Sequence, residues 1–194
     1  MSQRSTRKPK LFESITGADA LTILKALAKR DKTLAQEIET VAKALLSHVE
    51  MDKVAADVQA KLESLDIEEV WDRAGPKRDG YVDPGDAAWA MYEEALQPFQ
   101  DEVHKYQKLS MLEEAELTCQ GILKGIYKFD KESSTEYKEQ EAVDASGEYF
   151  GMILDDWKAL FEKRPPYSRM KAFLQTHCPD YVAWGMQCLR ARRP

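Results

Sequence analysis

The fold of this chain is decided by a stretch near its start, TGADALTILKALAKRDKTLAQEIETVAKALL, residues 16 to 46. Apolar residues recur in it every three or four positions, as they do along one face of an α-helix. Thr16 and Asp19 form a capping-box pattern that starts a first helix, and Asp31 is a suitable cap for a second. Because the connection between the two helices is so short, they are predicted to form an antiparallel hairpin. The apolar positions are Leu21, Leu24, Leu27, Ala28, Leu34, Ile38, Val41, Ala42, Leu45 and Leu46.

The same helical spacing continues through the remaining sequence and predicts an all-α fold. Asp66 and Asp83, the latter followed by Pro84, are expected to cap two later helices, and Ser110 with Glu113 forms another capping box. No segment shows the alternation of a strand. We expect about eight helices in consecutive antiparallel hairpins, arranged either as an irregular solenoid-like stack of the TPR or HEAT kind or as a helical bundle.

Four regions are expected along the chain. Residues 1–14 are polar and basic and predict a disordered N-terminal arm, and residues 15–129 carry the helical hairpins. The polar sequence of residues 130–142 predicts a loop at a boundary between subdomains. Residues 143–194 then form a C-terminal helical subdomain packed on the first.

Charge and cysteine usage limit the classes of function. The chain has 28 basic and 34 acidic residues, and seven of the basic ones lie in residues 1–10 and 190–194, which contain no acid. An acidic body with basic ends does not fit duplex DNA binding unless the ends themselves bind. Three cysteines without a CxxC pair argue against a disulfide framework and indicate a reducing, cytoplasmic location. No run approaches the roughly 20 apolar residues of a membrane helix, so no membrane interaction is expected.

The segment 75–86 is rich in Gly, Pro and Asp and lies between two tryptophans, Trp71 and Trp89. It matches no phosphate-binding loop and does not have the ligand spacing of a calcium loop. Turn residues followed by the helix cap Asp83 account for its composition. It is therefore interpreted as a structural joint.

Catalytic and metal-binding patterns are weak. Asp101 and His104 form half of a di-metal helix motif, and no second half is found. His177 with Cys178 and Cys188 offers three soft ligands without a fourth. We therefore expect no metal, no cofactor and no enzymatic activity. An enzyme or metal protein with a dispersed site is kept as an alternative.

Aromatic residues recur on the late helices at helical spacing and form a candidate groove for a protein partner. Packing of the same residues in the core is the competing interpretation. The candidate partner-binding residues are Tyr149, Phe150, Trp157, Phe161, Tyr167 and Trp184.

The basic ends are the candidate contacts for anions, and they support a second alternative, a nucleic-acid-associated accessory protein. Electrostatic stabilisation of the last helix is the competing explanation for the C-terminal arginines. The candidate anion contacts are Arg4, Arg7, Lys8, Lys10, Arg190, Arg192 and Arg193.

Three segments stand out along residues 18–130. They are LxxLDIEEVWDRAG, GYVDPGDAAWAM and GILKGIYKF, at residues 62–75, 80–91 and 121–129. Through them, this region resembles helical segments of uncharacterised prokaryotic proteins, some of which carry a SWIM-type zinc finger. It implies a helical-repeat protein and supplies no catalytic residue. The paired Cys and His ligands of the finger are missing from this chain, so zinc is not implied. The sequence thus predicts a non-enzymatic helical scaffold that binds another protein, and it leaves a homodimer open.

Overall fold

A computed structural model describes residues 14–78, 80–161 and 164–191. Apart from the connecting segments and one short β-hairpin, these residues are helical, which confirms the predicted all-α fold. No helix among them has both the length and the apolar character needed to cross a membrane. In chain order the elements are α1 (Gly17–Arg30), α2 (Lys32–Leu46), α3 (Met51–Glu63), α4 (Ile67–Arg73), β1 (Gly75–Lys77), β2 (Gly80–Val82), α5 (Pro84–Lys108), α6 (Leu112–Glu132), a π-helical turn (Tyr137–Glu141), α7 (Ala145–Ala159), α8 (Tyr167–His177), a 3-10 turn (Pro179–Tyr181) and α9 (Val182–Arg190).

The chain divides into two compact units at Ser47 and His48. We call α1 and α2 the N-terminal hairpin, and residues 48–191 the C-terminal bundle. This division differs from the boundary expected at residues 130–142. Helix α6, which precedes that segment, packs against α3 and α5 and also against α7, which follows it. Helices from both predicted regions therefore share one core around α6.

Most predicted helix starts are confirmed by local hydrogen bonds. The amide of Asp19 donates to the hydroxyl of Thr16, and Asp19 accepts from the amide of Thr16 in return. The carboxylates of Asp31, Asp66 and Asp83 each accept from the amide two residues later, at 2.8, 3.0 and 2.9 Å. These caps satisfy amides that no helical carbonyl can reach.

The capping box predicted at Ser110 is wrong. Ser110 has a φ of 57° and ends α5 instead of starting α6, whose cap position is Met111. The amide of Met111 donates to the carbonyl of Tyr106, and that of Ser110 to Gln107. This is a left-handed helix ending of the kind usually made by glycine, and it reverses the chain between two antiparallel helices.

The joint at residues 75–86 contains a small β-hairpin that the sequence did not predict. Gly75 pairs with Val82 and Lys77 with Gly80. Gly75 and Gly80 have φ values of 87° and 137°, which other residues rarely adopt. Asp79 lies outside the described residues. The segment connects α4 to α5, and its residue Asp83 is the cap of α5.

The polar segment 130–142 is more ordered than predicted. Its first three residues continue α6, and a π-helical turn follows. Tyr137 is buried, and its hydroxyl donates to the carbonyl of Ala88 at 2.6 Å. The ammonium of Lys138 donates to the carbonyls of Asp130 and Ser133 at the end of α6. These contacts hold the segment against the core.

Two glycines of α6 set the distance between α6 and α3. A Cβ atom on Gly121 would lie 2.6 Å from Cβ of Val54, and one on Gly125 would lie 2.6 Å from Cβ of Val58. No real side chain tolerates such distances. The two helices are therefore in backbone contact along the middle of the core, and a larger residue at either position would separate them.

Candidate protein-docking surface

The N-terminal hairpin is made of two helices of nearly equal length, 14 and 15 residues. Asp31 alone connects them. Its amide donates to the carbonyl of Leu27 and closes α1, while its carboxylate caps α2 at the amide of Thr33. A single residue thus ends one helix and begins the next, and this fixes the helices as antiparallel neighbours.

The apolar side chains of this hairpin are not buried. No residue of α1 or α2 is buried. Val41 is 58% exposed and Leu45 is 74% exposed, the largest value among the exposed large apolar residues of the described chain. Leu21, Ile23 and Leu24 of α1 are also exposed. A surface rich in aliphatic side chains therefore faces solvent.

A groove of about 370 Å³ runs along this surface. Most of its lining comes from α2. Positions 34, 38, 41 and 45 of this lining are separated by four, three and four residues, which is the spacing of one helix face. Among the described residues that line the groove, Glu37 is the one with a charged side chain. The lining residues are Leu24, Leu34, Glu37, Ile38, Val41, Ala42 and Leu45.

The charged residues of the hairpin are mixed in sign. Residues 17–46 contain four acidic and five basic side chains. Lys43 and Glu39 form an ion pair at 2.7 Å, and the hydrogen bond from Lys43 holds the pKa of Glu39 below its usual value. Neither residue lines the groove. The groove can bury apolar surface of a ligand, and it offers no set of groups for acid–base chemistry.

The aromatic residues predicted to bind a partner lie mainly in the core. Tyr149, Phe150 and Trp157 are buried, which corrects the groove interpretation for these three. Phe161 and Tyr167 are half-buried, with ring centroids 5.1 and 6.4 Å from that of Trp157. These rings pack α7 against the segment that follows it and against α8. Trp184 is 37% exposed and packs on Phe150 at a centroid distance of 5.9 Å.

A buried carboxylate beside Trp157 was not predicted from the sequence. Glu116 of α6 accepts a hydrogen bond from the indole nitrogen Nε1 of Trp157 at 3.2 Å and forms an ion pair with Arg169 of α8. Both partners satisfy a group that would be costly to bury alone. The contact joins three helices, and we assign it a structural role.

The candidate anion contacts belong to the two ends of the chain. Arg4, Arg7, Lys8, Lys10, Arg192 and Arg193 lie outside the described residues. Arg190 is exposed and is the last residue of α9, where a positive charge favours the helix end.

Among the described residues, the histidine and cysteine side chains considered as metal ligands are not assembled into a site. Burial raises the pKa of the Cys178 thiol to about 12 and raises that of Cys119 further. Cys178 ends α8 and is not the N-cap of a long helix that would favour a thiolate. The imidazole of His177 packs on Phe173, and its pKa is lowered by burial and by Lys124. Within the part of the chain that the structure describes, no three metal-binding side chains come together.

Comparison of the chain with protein-family models, with curated proteins and with solved structures finds no match. The resemblance of residues 18–130 to helical segments of prokaryotic proteins therefore stays a prediction.

Proposed function

We propose that this chain is a non-enzymatic helical protein that binds another protein chain, and that the apolar groove of the N-terminal hairpin is its docking surface. The observation that carries the proposal is the exposure of Val41 and Leu45 beside a groove lined by aliphatic side chains. The hairpin is also the building unit of TPR- and HEAT-like proteins, so the repeat-like interpretation belongs to this proposal. Free thiols at Cys119, Cys178 and Cys188 fit a location in a reducing cytoplasm.

Exposure of these side chains has a free-energy cost that binding would remove. Burying a Val, Leu or Ile side chain stabilises by about 1.5–3 kcal/mol relative to leaving it in water. Single exposed aliphatic residues are common on proteins, but contiguous patches mark interaction surfaces. Here the exposed residues lie together along one groove, which supports a docking role.

The partner is expected to present an apolar face of a helix. Backbone amides and carbonyls in α1 and α2 are already paired within their own helices, so the groove offers no ladder to an extended peptide. A bound segment must therefore satisfy its own backbone. An amphipathic helix does this while placing aliphatic side chains between Leu24 and the face of α2.

Site-specific photo-crosslinking in cells tests this proposal. A photo-reactive residue at position 45 should form an adduct with another protein chain, mapped to an amphipathic helix. Leu24→Glu, across the groove, should abolish that adduct. The same probe at position 36, which is exposed and lies on the opposite face of α2, should give none. Equal adducts at both positions, or adducts only with residues 48–191 of the same chain, would contradict the proposal.

A further inference from the structure

We infer that the partner of the groove is a second copy of this chain, so that two N-terminal hairpins pair into an intermolecular four-helix bundle. This inference rests on the proposed function, because it names the occupant of the same surface. Two properties of the hairpin favour a second copy: the match of helix lengths and the balance of charge.

The geometry of the hairpin suits pairing about a two-fold axis. Helices of 14 and 15 residues are about 21 and 22 Å long, so neither projects beyond the other. Two such hairpins can cover each other along their full length. The spacing of Leu34, Ile38, Val41 and Leu45 alternates steps of four and three residues, which is the pattern of helices packed at small angles in bundles. A symmetric dimer is also the commonest oligomer of soluble proteins.

The charge of the hairpin permits self-association. Four acidic and five basic residues in positions 17–46 leave the hairpin almost neutral, so two copies of its face do not repel each other. A groove that selected a strongly charged foreign helix would need an excess of one sign along its rim. In the lining that the structure describes, the one charged residue is Glu37 and the others are aliphatic, and an aliphatic face matches a copy of itself.

The size of the face sets the strength of the dimer. A face about 22 Å long and two helix widths across, about 20 Å, has a projected area of about 440 Å². Stable complexes commonly bury about 800 Å² on each partner. We therefore expect a reversible dimer with a dissociation constant of about 1–100 µM, not an obligate one.

Sedimentation equilibrium of the full chain tests the inference. From about 1 to about 200 µM the average mass should rise from 22.2 kDa towards twice that value. The double variant Val41→Glu, Leu45→Glu places two charges on the groove and should stay monomeric over this range. The matched variant Gln36→Glu, Thr40→Glu adds the same charge to the opposite face and should dimerise like the wild type. Far-UV circular dichroism verifies that both variants keep their helices.

The dependence of the dimer on salt concentration provides a second, independent test. Each chain carries a net charge of −6, so two copies repel over distances beyond the interface. Raising the salt concentration from about 20 to about 150 mM should tighten the dimer about twofold or more, because salt screens this repulsion. A dimer that weakens with salt would be held by ion pairs and would contradict apolar pairing.

Crosslinking in an isotope mixture separates this inference from the proposed function. Unlabelled and ¹⁵N-labelled chains, both with the photo-reactive residue at position 45, are mixed at high concentration and irradiated. Adducts of mixed isotope composition that map to residues 17–46 support the second copy. A monomer at about 200 µM with adducts at position 45 only to a foreign helix in cells would overturn the second copy and leave the docking surface intact. Adducts of one isotope that map to residues 48–191 would overturn both.

Discussion

Replacing Trp157 by alanine lowers the free energy of unfolding of the C-terminal bundle by about 3–5 kcal/mol, the usual cost of removing a large aromatic side chain from a core. Trp157 is fully buried, and its indole nitrogen donates to Glu116. The substitution therefore leaves a cavity and removes one partner of a buried carboxylate. Urea unfolding followed by circular dichroism measures the change in the free energy of unfolding. In thermal unfolding we expect the melting temperature to fall by about 10 °C.

Trp184→Ala is the matched control for this prediction. Trp184 belongs to the same set of aromatic residues, but it is 37% exposed. Its replacement should cost about 1–2 kcal/mol, since much of its surface is already in water. If Trp157→Ala destabilised the protein no more than Trp184→Ala, the aromatic face of α7 would be a surface, which is one of the two interpretations that the sequence left open.

Replacing Gly125 by alanine destabilises the C-terminal bundle by about 2 kcal/mol or more, although alanine favours a helix over glycine by about 1 kcal/mol. The new Cβ would lie 2.6 Å from Cβ of Val58 and 2.7 Å from the carbonyl oxygen of Ala55. The carbonyl belongs to the backbone of α3 and cannot rotate away, so the two helices must separate. Denaturant unfolding measures the loss of stability.

Gly147→Ala is the control for the close approach of α3 and α6. Gly147 lies in α7, and a Cβ there would meet no atom within 4 Å. Its replacement should be neutral or stabilise by up to about 1 kcal/mol, as expected from helix preference alone. A Gly125→Ala protein as stable as the wild type would show that α3 and α6 are not in backbone contact.

The parts of the fold that are set by residues close together in the sequence could be predicted from the sequence. Thr16, Asp31, Asp66 and Asp83 cap helices through bonds to amides two or three residues away, and such bonds are encoded locally. Ser110 has the same sequence signature, yet it ends the preceding helix. Its conformation is set by the reversal between α5 and α6, which local spacing does not reveal.

The candidate site shows more clearly which features the sequence does not predict. A helical stripe of apolar residues has the same spacing whether it faces a core or a partner. The aromatic stripe containing Trp157 proved to be core, whereas the aliphatic stripe containing Val41 is exposed. Only the tertiary arrangement shows which stripe is buried and which is exposed. The link from Glu116 to Trp157 and Arg169 joins residues 41 and 53 positions apart and had no local signal.

Amide hydrogen exchange tests most directly whether the N-terminal hairpin carries an uncovered docking face. Helices of 14 and 15 residues without buried side chains are only marginally stable, so their amides should exchange rapidly in dilute protein. Exchange in residues 17–46 should slow when the protein concentration rises, while exchange in the buried helix α6 remains slow throughout. If the hairpin amides were as protected as those of α6 at about 1 µM, the apolar face would already be covered within the chain, and the proposed docking surface would be contradicted.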